Sequence, residues 1–137
     1  MKEAVAVFAF ALVLAACSSD DDILEIGDRF FVTQIIDIFT NPQDYLGRTV
    51  RYEGIFRAIH WPQTGNYYFA VIRYMTSCCG TEPIGLEVLL PSSMAPVADR
   101  AWVQITGVFE KSQGFPAVRA TALVETPQRG SGFVERR

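Results

Sequence analysis

From residue 31 onward the hydrophobic period of the chain changes once. In FFVTQIIDIF, Val32, Ile35, Ile36 and Phe39 recur at i, i+3, i+4 and i+7, the spacing of one helical face. NPQDYLG follows, with Asn41 placed as an N-cap, Pro42 at a first helical position and Gly47 as a stop. Residues 32–46 therefore read as one helix broken near Asn41, or as two short ones. After Gly47 the period becomes two. TVRYEGIFRAIH alternates, with Gly54 marking a bulge or bend. YYFAVIRYM is nearly apolar throughout and reads as a strand buried on much of both faces. IGLEVLL puts Ile84, Leu86, Val88 and Leu90 on one face, and AWVQITGVFE and AVRATALVE complete a set of five strands. WPQTGN and KSQGFP are turns, PSSMAPVADR is a longer loop, and the segment holding two adjacent cysteines joins the second strand to the third.

Five strands, a break between the third and fourth, and glycines at strand bends match the layout of a small OB-like barrel. The expected fold is mainly β: a five-stranded OB-like barrel with an N-terminal helix packed on it. Closure removes most exposed edges. The competing layout is an open sandwich or sheet with a helix on one face.

The N-terminus departs from this pattern. MKEAVAVFAFALVLAACSSDDD has a weakly positive start at Lys2 and an apolar run from Ala4 to Ala16, too short for a comfortable membrane span. The run ends in Leu14-Ala15-Ala16-Cys17, which resembles the bacterial lipobox. Small residues suit the signal peptidase, and the thiol is the group that takes the lipid. The expected organisation is a signal peptide over 1–16, an acylated Cys17 with a flexible tether over 17–29, an OB-like domain over 30–126 and a disordered tail over 127–137. The expected address is the bacterial cell envelope, extracytoplasmic and lipid-anchored.

Length and composition narrow the function. The 137 residues make one domain, and an apolar half is enough for a core. A net charge of −3 lacks the basic footprint of a nucleic-acid binder. Arg48, Arg51, Arg57 and Arg73 read as solvated strand positions, and Glu53, Glu82 and Glu87 as a solvated face. The aromatic set Tyr52, Phe56, Tyr67, Tyr68, Phe69 and Tyr74 reads as core rather than as a stacking platform. Nucleophilic catalysis has poor support: His60 is the single candidate base, there is no Gly-x-Ser-x-Gly, no phosphate loop and no His-Glu-x-x-His, and the expectation is that the protein is not an enzyme, with thiol redox activity left open.

Cys78 and Cys79 carry the remaining chemistry, with three fates open. A disulfide between neighbours is strained, because their Cα atoms lie about 3.8 Å apart against a usual minimum of about 4.4 Å. Such a bond is easily reduced, which allows a thiol–disulfide redox role. Metal ligation suits two thiolates and zinc or copper, provided Gly80 turns the chain so that both point one way. Glu82, His60 (the single histidine) or another protein are the candidates to complete the site. The third fate is packing, with both residues acting as small hydrophobes.

The phrases NPQDYLGRTVRYEGIFR, YYFAVIRYMTSCCG, IGLEV, AWVQITGVFE and PAVRATALVE together resemble the extracytoplasmic C-terminal domain of a bacterial two-subunit putative permease family, and more closely the stand-alone lipoproteins carrying this domain. The most specific phrase is the Arg-Tyr-x-x-x-Cys-Cys segment, with Glu82 the nearest match to an acidic residue that follows the cysteines in related domains. The resemblance implies an OB-like fold and association with an envelope protein complex. It implies no particular reaction. The resulting expectation is a lipid-anchored binding or accessory module acting on a metal ion or a membrane partner through the cysteine pair. The alternatives are a redox protein and a purely structural domain.

Overall fold

The alternation that starts at Thr49 yields a barrel. The computed structural model describes residues 22–135. Residues 1–21, with Cys17 and the expected signal peptide and most of the expected tether, lie outside the described residues. The elements are β1 (Ile23–Ile26), α1 (Phe31–Thr40), β2 (Thr49–Trp61), β3 (Asn66–Ser77), β4 (Gly80–Leu89), β5 (Trp102–Ser112), β6 (Phe115–Glu125) and β7 (Phe133–Val134), with one-turn 3-10 helices at Asp28–Phe30 and Pro42–Asp44. The five long strands close in the order β2-β3-β4-β6-β5, because β2 pairs with both β3 and β5. Every barrel pair is antiparallel except β4–β6. This is the expected OB-like topology, with the loop 90–101 carrying the chain between β4 and β5.

Alternate positions of each strand fill the interior: Val50, Tyr52 and Phe56 from β2, Val71 from β3, Leu86 and Val88 from β4, Ile105 and Phe109 from β5, and Val118 from β6. Strand β3 passes very close to its neighbours. A Cβ on Gly85 would lie 2.1 Å from the Val71 carbonyl oxygen, and one on Gly54 2.8 Å from that of Ile72. Both glycines let the sheet curl tightly enough to close.

Helix α1 is the expected N-terminal helix, but its buried face is turned relative to the sequence reading. Phe31, Val32, Ile35 and Ile38 are buried, Ile36 is half-buried and Phe39 is 48% exposed. The phase is set by Phe31, whose ring packs edge-on against Tyr52 at 5.7 Å. Each buried side chain contributes about 1.5–3 kcal/mol of transfer free energy. Asn41 is not a side-chain N-cap. It ends α1 instead, donating its backbone N–H to the Asp37 carbonyl and its Nδ2 to Asp37 Oδ1, both at 2.7 Å. The Tyr45 hydroxyl also donates to Asp37 and, with Asn41, holds that carboxyl below its usual range. Gly47 stops the turn with φ +78°, as expected.

Two segments expected to be loose are ordered. Ile23–Ile26, placed in the tether, adds in parallel to the first half of β2, with Ile26 buried. Phe133–Val134, placed in the disordered tail, adds in parallel to the second half of β3, with Val134 buried. The reason is geometric. β3 pairs with β2 from Trp61↔Asn66 only as far as Ile55↔Ile72, and beyond that rung the two strands diverge. β1 and β7 cover the edges they expose, leaving a seam in the wall. The second strand is also less buried than expected: Val71, Ile72 and Arg73 are buried, but Tyr67 and Tyr68 at its start are 61% and 40% exposed.

Candidate functional site

Cys78 and Cys79 form the two-residue tip of the β3–β4 hairpin, closed by the Ser77↔Gly80 pair. Neither cysteine has positive φ, and the turn instead takes φ +125° at Gly80, a conformation glycine adopts without strain. The Ser77 hydroxyl fixes the tip from below. It accepts the Cys79 backbone N–H at 3.3 Å and donates to the Gly80 carbonyl at 3.2 Å. Both thiols are free and exposed, with their sulfurs 3.5 Å apart. The backbone, not a bond between the sulfurs, holds them on one side of the turn.

This spacing matches one kind of chemistry better than another. Two sulfurs each ~2.3 Å from one ion at the tetrahedral angle lie about 3.8 Å apart, whereas a linear two-sulfur site of the same bond length holds them about 4.6 Å apart. A disulfide needs about 2.05 Å. The observed separation is near the tetrahedral bite.

The other two residues expected at the site do not join the cysteines. His60 pairs with Tyr67 near the start of β3, eleven positions from Cys78. That is about 35 Å of strand. Its ring lies 5.2 Å from that of Tyr67 at the opposite hairpin. Glu82 is exposed and paired with Met75, two rungs below the tip. Among the described residues no group of three or more His, Cys, Asp or Glu side chains converges as a metal set.

Behind the hairpin lies a residue that the sequence placed among solvated arginines. Arg73 is 2% exposed, the one buried polar or charged residue among those described. It fills the seam where β2 has left β1 at Tyr52 and not yet met β3 at Ile55. Its Nε donates to the Glu53 carbonyl at 2.9 Å, and its Nη1 to Asp28 Oδ1 at 2.6 Å. Its guanidinium also lies over the rings of Phe31 at 4.6 Å and Trp102 at 5.2 Å. The Glu53 side chain is not solvated either: it accepts from Trp102 Nε1 at 3.2 Å and from Arg129. A cleft of about 580 Å³ opens beside Arg73, lined by Asp28, Arg29, Thr76, Ser131 and Phe133.

Glu87, the third glutamate expected in solvent, borders an apolar groove of about 310 Å³ with Ile59, Tyr68, Ile72, Tyr74 and Pro83. Desolvation raises its pKa, against opposing hydrogen bonds from Tyr68 and Ser112. No helix among the described residues is long and apolar enough to cross a membrane.

The fold and site together are a small OB-like barrel with a polar seam and an exposed dithiol tip. A family model described as DUF1980 C-terminal domain matches residues 12–131, so the chain belongs to that family. No curated protein matches the chain. Membership suggests an accessory domain and specifies no reaction.

Proposed function

We propose that this domain is a lipid-anchored, extracytoplasmic accessory module that presents the Cys78–Cys79 turn to a soft metal ion of the zinc or copper kind. The observation that carries the reading is the pair of exposed thiols 3.5 Å apart on a backbone-fixed tip. Thiolates are the ligands such ions prefer, and nearness of the sulfurs lowers the ordering cost of chelation. The envelope address is supported by the lipobox-like Leu14-Ala15-Ala16-Cys17 and the polar run after it. The membrane, through the lipid on Cys17, and an envelope protein complex are the proposed partners.

The test is zinc and copper(I) titration of protein purified reduced, against a Cys78→Ser, Cys79→Ser double variant. The expected result is at least a tenfold weaker affinity in the variant. Equal affinities would remove the reading. The redox alternative rests on the same proximity, but bringing the sulfurs from 3.5 Å to bonding distance requires an eight-membered ring with a distorted peptide. Alkylation before and after oxidant, read by mass spectrometry, separates the two.

A further inference from the structure

The cysteine pair supplies two ligands of a geometry that calls for four. A structural zinc centre is closed by four protein ligands. Among the described residues nothing approaches to supply the others: His60 is at the far end of β3, and no group of three or more His, Cys, Asp or Glu side chains converges there.

The tip is built to be reached from outside. Thr76 and all residues from Cys78 to Pro83 are exposed. β7 reaches β3 only as far as Met75↔Val134, so from Thr76↔Thr81 to the turn the hairpin strands pair only with each other, while β6 joins β4 only at Glu87–Leu89. The hairpin therefore projects past the barrel wall. Its flanking residues Ser77, Gly80 and Thr81 are small and uncharged, so two such tips can approach without a steric or like-charge barrier before Glu82 is reached.

We propose that the cysteine tip is one half of a four-sulfur centre and that a second copy of this chain contributes the other half, the two hairpins meeting tip to tip about a twofold axis with one zinc-type ion between them. This rests on the metal reading of the site. A twofold arrangement places identical pairs on both sides of the ion, and each pair already has close to the required bite. Binding is balanced in charge and protons: four thiols release four protons as four thiolates take one divalent cation. No electron is transferred.

The experiment is native mass spectrometry and light scattering on the full-length chain, reduced, with zinc added stepwise, beside the Cys78→Ser, Cys79→Ser variant. Cobalt(II) replaces zinc in a parallel absorption series. The expected outcome is conversion of monomer to dimer with an end point of one zinc per two chains. The four Cys78 and Cys79 thiols of each dimer become protected from alkylation, cobalt shows the bands of a tetrahedral four-thiolate site, and chelator reverses all three. The variant stays monomeric at every zinc concentration. One zinc per monomer with no change in mass would overturn the shared centre while leaving the metal reading intact. A dimer forming equally in the variant would overturn it as well. Equal zinc uptake by the parent chain and the double variant would overturn the metal reading itself.

Discussion

Arg73 is the side chain whose loss should be felt most. In Arg73→Met the stem volume is kept, but the Glu53 carbonyl loses its partner inside the seam. An orphaned buried carbonyl costs about 1–3 kcal/mol. The contacts of the guanidinium with Phe31 and Trp102 also go, adding about 1–2 kcal/mol for the two together. The variant should therefore be destabilised by about 2–5 kcal/mol, a fall in Tm of about 8–20 °C at ~4 °C per kcal/mol. Asp28→Asn is the contrasting change. Asp28 has a side chain 58% exposed. Arg73 keeps the Glu53 carbonyl and both rings, and the adjoining cleft admits water, so that variant should lose only ~1 kcal/mol. Urea unfolding followed by tryptophan fluorescence is the assay, since Trp102 lies against the guanidinium. If Arg73→Met stays within ~1 kcal/mol of the parent, or Asp28→Asn costs as much as it does, the seam is not held in the way described.

Gly85→Ala would put a Cβ 2.1 Å from the Val71 carbonyl oxygen, so the chain should express poorly or unfold at much lower denaturant; a normal midpoint would show that β3 has room to shift. Asp99 accepts the Ala58 N–H at 2.9 Å and Arg57 Nε at 3.0 Å, and the Ala58 bond, followed by the Arg57 contacts, holds its carboxyl below the usual range. Because the folded pKa is the lower one, the stabilisation is complete above the unfolded value near 3.8 and is lost as pH falls through the folded value. Asp99→Ala should accordingly cost up to ~1 kcal/mol at pH 7, discounted for its exposure, and less at acid pH; a loss independent of pH would refute this.

The barrel was legible because period-two alternation and turn residues recur at spacings that fit a small closed sheet, although an open sandwich fits the same spacings. Gly80 announced the cysteine turn for the same kind of local reason: it is the residue that takes positive φ. What escaped reading was set by distant partners. Arg73 sits in an apolar run, and its ligands Asp28 and Glu53 are 45 and 20 positions away, so nothing local marks it as buried. β1 and β7 are four and two residues long and exist because the β2–β3 divergence leaves edges to cover. Phe39 matched the helical spacing, yet the ring of Phe31 against Tyr52 set the phase. His60 is a candidate by residue type, and the hairpin register places it beside Tyr67, at the end of β3 away from the cysteines.

The two outer strands give the chain's extremities a shared duty. Asp28 follows β1, and a Cβ on Gly130, just ahead of β7, would come within 2.8 Å of the Asp28 carboxylate oxygens. The segments carrying β1 and β7 thus fasten over one opening, like two flaps of an envelope. Anyone shortening the protein to residues 30–126 for study would strip both flaps and bare a guanidinium to solvent, and fusion partners belong outside Ile23 and Glu135 rather than at the borders of the five-stranded core.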